Sequence, residues 1–143
     1  MAEAASKRSS VMSTLVIAVA FGAVTARAHH SIAAVYDSTR QVRMEGFVTE
    51  FKFVNPHPSL VLQVDLESGE KEVWELEMDN RSELAAIGVK QSTFRPGDRV
   101  AVRGSVARKL PHRLYLLELD RPADGLHYEQ VGTRPSIEPR RGR

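Results

Sequence analysis

The chain has no cysteine, which excludes disulfide staples and thiolate metal sites. Any metal must then be held by histidine, carboxylate, amide or a free amino terminus. Aromatic residues are sparse: one tryptophan, three tyrosines and five phenylalanines are few rings for the base-stacking platforms that bind single-stranded nucleic acid. A surplus of one charge is missing too. The 20 Lys and Arg barely exceed the 18 Asp and Glu, and three of the bases, Lys7, Arg8 and Arg27, stand ahead of His29 with one acid, Glu3. From His29 onward the chain is formally neutral, so it lacks the electrostatic footprint of phosphate binding and no nucleic-acid partner is expected. Nor is there a hydrophobic run able to span a bilayer, because the apolar stretch over 11–24 is shorter than the roughly 20 residues required.

That stretch follows the basic Lys7-Arg8 and leads to small residues at Ala26 and Ala28. Together they read as a signal peptide over 1–28 and predict a periplasmic or secreted bacterial protein with no transmembrane helix after cleavage. Cleavage after Ala28 makes His29 the first residue. A free N-terminal histidine offers an α-amine and an imidazole on one residue, a bidentate ligand for a late transition metal.

The rest of the chain patterns as strands. Residues 29–40 form an N-terminal segment, and 41–53 (QVRMEGFVTEFKF) show a broken alternation around Gly46, as in a strand bent at a glycine or bulge. Asn55-Pro56-His57-Pro58 interrupts it, since the prolines lack amide donors and hold their predecessors extended. Leu60, Leu62 and Val64 alternate, Ser68-Gly69 turns, and Trp74, Leu76 and Met78 share the next face, which predicts a hairpin. Asn80 and Glu83 have the spacing of a capping box before Leu84, Ala85 and Ile87, and Gly88 suits a left-handed exit, so a short helix is expected there. Pro96-Gly97-Asp98 turns into a fourth strand over 99–107, and after Leu110-Pro111-His112 a fifth covers 114–119.

This order predicts a mainly β fold, a small five-stranded OB-like Greek-key barrel with one short helix between strands three and four, over 41–121. Residues 122–143, with Arg134, Pro135, Pro139, Arg140, Arg141 and Arg143, read as a flexible tail.

The chain also resembles a known family. His29-His30-Ser31, Ala33-Ala34, Tyr36-Asp37, Gly46-x-Val48-x-x-Phe51, Asn55-Pro56-His57, Trp74-Glu75-Leu76-Glu77 and Pro96-Gly97-Asp98-x-Val100 are similar to the small exported bacterial proteins grouped as domain of unknown function 6152. Val35 and Val89 depart from that pattern, standing where an acidic residue and a tryptophan are expected. The resemblance implies an exported OB-like β-barrel and assigns no catalytic residue.

Two sets of residues are candidates for a site. His29, His57 and His30 form a histidine-brace-like metal set, with copper as the cofactor: His29 supplies amine and imidazole, and His57 a second imidazole. Asn55, Pro56 and Pro58 frame His57 in a loop between strands one and two, a position that OB barrels use for ligands. His112 and His127 read as surface residues, Trp74 as core, and Glu75 and Glu77 as a solvated strand face. With no nucleophile motif or phosphate loop in the sequence, the expectation is a non-catalytic binding module for a small ligand or a periplasmic protein. A copper-binding protein is the alternative, and a copper-dependent oxidative enzyme a lesser one.

Overall fold

The alternation read from the sequence does produce strands, and more of them than expected. The computed structural model describes residues 31–139. In chain order these form α1 (Ile32–Val35), β1 (Tyr36–Lys52), β2 (Ser59–Asp65), β3 (Lys71–Glu77), α2 (Arg81–Ala86), β4 (Arg99–Ala107), β5 (Arg113–Arg121), β6 (Leu126–Val131) and β7 (Arg134–Pro139). The single sheet runs β3-β2-β1-β4-β5-β6-β7, and one parallel pairing links β3 to β5.

The long β1 organises this sheet because it serves two partners. Its first part pairs with β4, from Gln41 opposite Ser105 to Phe47 opposite Arg99, and its last part with β2, from Phe47 opposite Gln63 to Lys52 opposite Ser59. A register shift between Val48 and Glu50 bends the strand where it changes partners. Gly46 sits at the same crossing, and a Cβ there would run into the Gln63 carbonyl. Glycine at this point permits the close approach of β1 to β2.

The core follows from strand parity. Val48, Phe51, Leu60, Leu62, Leu76, Leu114, Leu116 and Leu119 turn inward and are buried, with Leu84 of α2 and Phe94. Val89, one of the departures from the family pattern, is buried in the same cluster. α2 forms as its caps predict: the Asn80 side chain accepts a hydrogen bond from the Glu83 amide at 3.0 Å, and Gly88 exits with φ 94°.

Three expectations need correction. The fold has seven strands rather than five. The first strand starts at Tyr36, inside the segment assigned to 29–40, and α1 precedes it. The region read as a flexible tail contains the β6–β7 hairpin, paired from Leu126 opposite Pro139 to Val131 opposite Arg134. Its prolines argued against a strand, but among the described residues β7 pairs on one side only, and an edge strand tolerates proline because no second neighbour needs the missing amide. The hairpin inserts Tyr128 into the main core, where the side chain has no exposure. Tyr128→Ala is therefore expected to lower the free energy of unfolding by about 3–5 kcal/mol, the usual cost of removing a buried ring, whereas a tail would make it neutral. Chemical denaturation of the two proteins measures the difference.

Candidate functional site

The loop between β1 and β2 is held from three directions. Its Asn55–Pro56 peptide is cis. The Pro58 carbonyl accepts from the Met78 amide at 2.9 Å, the Pro56 carbonyl from the Arg81 amide at 3.1 Å, and the Phe53 carbonyl from Arg81 Nε at 3.2 Å. Proline carbonyls thus bind the loop to the end of β3 and the start of α2, and the sequence Asn-Pro-His-Pro leaves His57 between two fixed points.

His57 Nδ1 lies 3.3 Å from the Met78 carbonyl oxygen and 4.0 Å from Glu77 Oε1. A carbonyl oxygen only accepts, so Nδ1 carries the proton and donates it. In the neutral ring this leaves the lone pair on Nε2, on a side chain one-third exposed (33%). An imidazole fixed in this way by a carbonyl and a neighbouring carboxylate is oriented for a ligand.

Glu77 continues the network into the protein. Its Oε2 accepts from the Tyr36 hydroxyl at 2.5 Å and from Arg113 Nη2 at 3.4 Å, and Arg113 Nε donates to the Tyr36 hydroxyl oxygen at 3.2 Å. Arg113 also reaches Glu75 at 3.8 Å. Beyond His57 lie two further carboxyls. Asp79 Oδ2 accepts from Gln130 Nε2 at 2.8 Å, which fastens the C-terminal hairpin to the end of β3. Glu83 is pushed above the usual carboxylate range by desolvation and by the adjacent Asp79 carboxyl.

The start of the described chain is tied to the same network. Ile32 and Val35 pack on Tyr36, Ala107 and Tyr115. The Arg108 amide donates to the Val35 carbonyl at 2.9 Å, and the Arg108 guanidinium meets Asp37 at 3.3 Å. Val35, the second departure from the family pattern, thus fills an apolar contact.

Of the predicted site residues, His57 stands in this network and Asn55, Pro56 and Pro58 frame it. His29 and His30, like the segment over 1–28, lie outside the described residues. Among the described residues no three His, Asp or Glu side chains are grouped to hold a metal ion. Strand parity alone misled for Glu77, which is read as solvated yet is only 16% exposed and bonded to Tyr36 and Arg113. Its partners lie on β1 and β5, and no local pattern joins them. His112 and His127 each have a carboxylate partner, Glu72 at 3.6 Å and Asp120 at 2.8 Å. Trp74 is half-buried and donates its indole N–H to Glu72 at 2.9 Å.

All three tyrosines of the chain, Tyr36, Tyr115 and Tyr128, are buried, and desolvation raises each phenol well above its ordinary value of about 10. A group with a raised folded pKa holds its proton longer in the folded state, so stability falls as pH climbs past the unfolded value. An alkaline titration followed by the near-ultraviolet tyrosinate band should show no ionisation near pH 10 in the folded protein, with all three phenols ionising together on unfolding. A folded protein that titrates a tyrosine at the ordinary value contradicts this burial.

Neither a curated protein nor a solved structure matches the chain. A family model does, over residues 16–113, a span that includes Tyr36, the Asn55–Pro58 loop and Glu77 and stops where β5 begins. With more than half of its length matched, the chain belongs to the family of unknown function DUF6152.

Proposed function

We propose that this protein is an exported, periplasmic or secreted, non-catalytic binding module that takes a small ligand or a partner protein at the His57 loop. The observation that carries the reading is the His57 imidazole itself. Its Nδ1 is committed to the Met78 carbonyl and faces Glu77, and in the neutral ring Nε2 is the nitrogen left for a ligand. Three carboxyls, Glu77, Asp79 and Glu83, stand around the loop against the guanidiniums of Arg81 and Arg113, and the excess of acid favours a ligand carrying positive charge. We read the pairings β1–β2, β2–β3, β3–β5, β5–β4 and β4–β1 as the circuit of an OB-like Greek-key barrel, extended by the β6–β7 hairpin. In such a barrel the loop after the first strand is a ligand position. The test is amide NMR against a library of small cationic fragments: shifts should gather at residues 53–58 and 77–83 and vanish in His57→Ala. Shifts elsewhere that survive that substitution contradict the reading.

A second reading has its own support. Copper could be held by the amine and imidazole of a mature His29 with His57 Nε2, and His30 in reserve, because late transition metals favour such nitrogen donors. Supporting it, Tyr36 joins the N-terminal segment to Glu77, and the other oxygen of Glu77 faces His57. Such an ion supplies Lewis acidity or one-electron chemistry when bound, while Glu77 and the Met78 carbonyl orient the ring. Calorimetry and electron paramagnetic resonance with Cu²⁺ should find a nitrogen-rich site in the form that begins at His29. One extra residue ahead of His29, or His57→Ala, should weaken binding by about tenfold or more. Equally weak binding by all three forms overturns the copper reading and leaves the cation-binding one standing.

A further inference from the structure

The three carboxyls beside the His57 loop are not alike. Glu77 is matched by Arg113 and by the Tyr36 hydroxyl, whereas Asp79 and Glu83 have no base of their own. Their carboxyls lie within hydrogen-bond reach of each other, and the groups that donate to the pair, from Gln130 and Asn80, are neutral. Among the described residues no lysine or arginine forms a salt bridge with either. The guanidinium of Arg81, the first residue of α2, is turned to Phe53 instead, donating to its carbonyl at 3.2 Å and lying 4.8 Å from the centre of its ring. Two acids held side by side without a base disfavour each other's charge, and a bound cation relieves that.

A buried phenol faces the same carboxyls. Tyr115 stands opposite Glu77 in the β3–β5 ladder, is only 6% exposed, and packs on Tyr36 with ring centroids 5.7 Å apart. Desolvation raises its phenol, and the charges that raise it further are those of Asp79, Glu77 and Glu83. Among the described residues its hydroxyl makes no hydrogen bond, yet the oxygen is not sealed from the outside. The other two tyrosines differ, since Tyr36 donates to Glu77 and Tyr128 to Gln130. A buried hydroxyl ordinarily finds a partner within the fold. This one is left free beside three acids, so it points to a partner that comes from outside.

The groups that meet here share one property. Carboxylates, a phenol oxygen and the Nε2 of a neutral histidine all accept hydrogen bonds. We propose that the group bound at the His57 loop is a primary ammonium, held by the Asp79–Glu83 pair, the Tyr115 oxygen and His57 Nε2, an inference that rests on the cation-binding reading of that loop. The ammonium brings the charge that the acid pair lacks and three N–H donors for acceptors in need of them. A quaternary ammonium brings the charge alone. Alkylamines and lysine side chains both carry the required group.

The test is an amide-NMR titration of the whole protein with butylamine, with butyltrimethylammonium, and with a short blocked peptide containing a single lysine. Butylammonium should bind at least tenfold more tightly than its quaternary analogue. A peptide that binds more tightly than butylammonium supports a lysine side chain as the natural source, and one that binds more weakly supports a free amine. Tyr115→Phe keeps the ring and removes a hydroxyl that has no partner in the free protein. It should therefore leave stability to denaturant unchanged or raised while weakening butylammonium about tenfold. Glu83→Gln should weaken it by a similar factor, and Glu67→Gln, an exposed acid in the β2–β3 turn, should not. Equal binding of the primary and quaternary probes overturns the proposal, as does undiminished binding by Tyr115→Phe and Glu83→Gln whose circular dichroism shows them folded. In both cases loss of binding in His57→Ala leaves the broader cation reading standing. Failure of every cationic probe to bind overturns both.

Discussion

The hydroxyl of Tyr36, buried between the Glu77 carboxylate and the Arg113 guanidinium, is the contact on which the arrangement of this protein depends. It joins the first residue of β1 to the last of β3 and the first of β5, strand ends that the β3–β5 pairing over Glu75–Glu77 also holds in register. A phenol so placed donates to the acid and accepts from the base, so each polar group is satisfied in a position water hardly reaches. Because Glu77 also faces His57, the same contact sets the surroundings of the loop imidazole.

The site is therefore assembled from chain ends rather than from one element. β1 contributes Tyr36, β3 contributes Glu77 and the Met78 carbonyl follows it, α2 brings Glu83, and the C-terminal hairpin steadies Asp79 through Gln130. Prolines on both sides of His57 limit the conformational freedom lost when a ligand orders the ring. Rigid support for one histidine suits recognition, and the carboxyls around it bias recognition toward positive charge.

Much of the fold was legible in the sequence because it rests on local rules. Alternation marked β2, β3 and β4, the Asn80 cap and Gly88 bounded α2, and Gly46 lay close to the bend of β1. His57 stood out through its prolines. The β6–β7 hairpin was hidden because Pro135 and Pro139 resemble a tail until the strand is known to lie at an edge. Glu77 was hidden because Glu75 and Glu77 alternate like any exposed pair. What buries Glu77 is Tyr36 and Arg113, distant in sequence, and no periodicity records a contact made by tertiary pairing.

Presentation of His57 to a ligand turns on which of its ring nitrogens carries the proton. Long-range ¹H–¹⁵N correlation spectra of the imidazole, recorded where the ring is neutral, report this directly. The Met78 carbonyl predicts the tautomer protonated at Nδ1 with a bare Nε2. A neutral ring protonated at Nε2 would mean that Nδ1 is not donated to that carbonyl, and His57 would not be presented to a ligand in the way described.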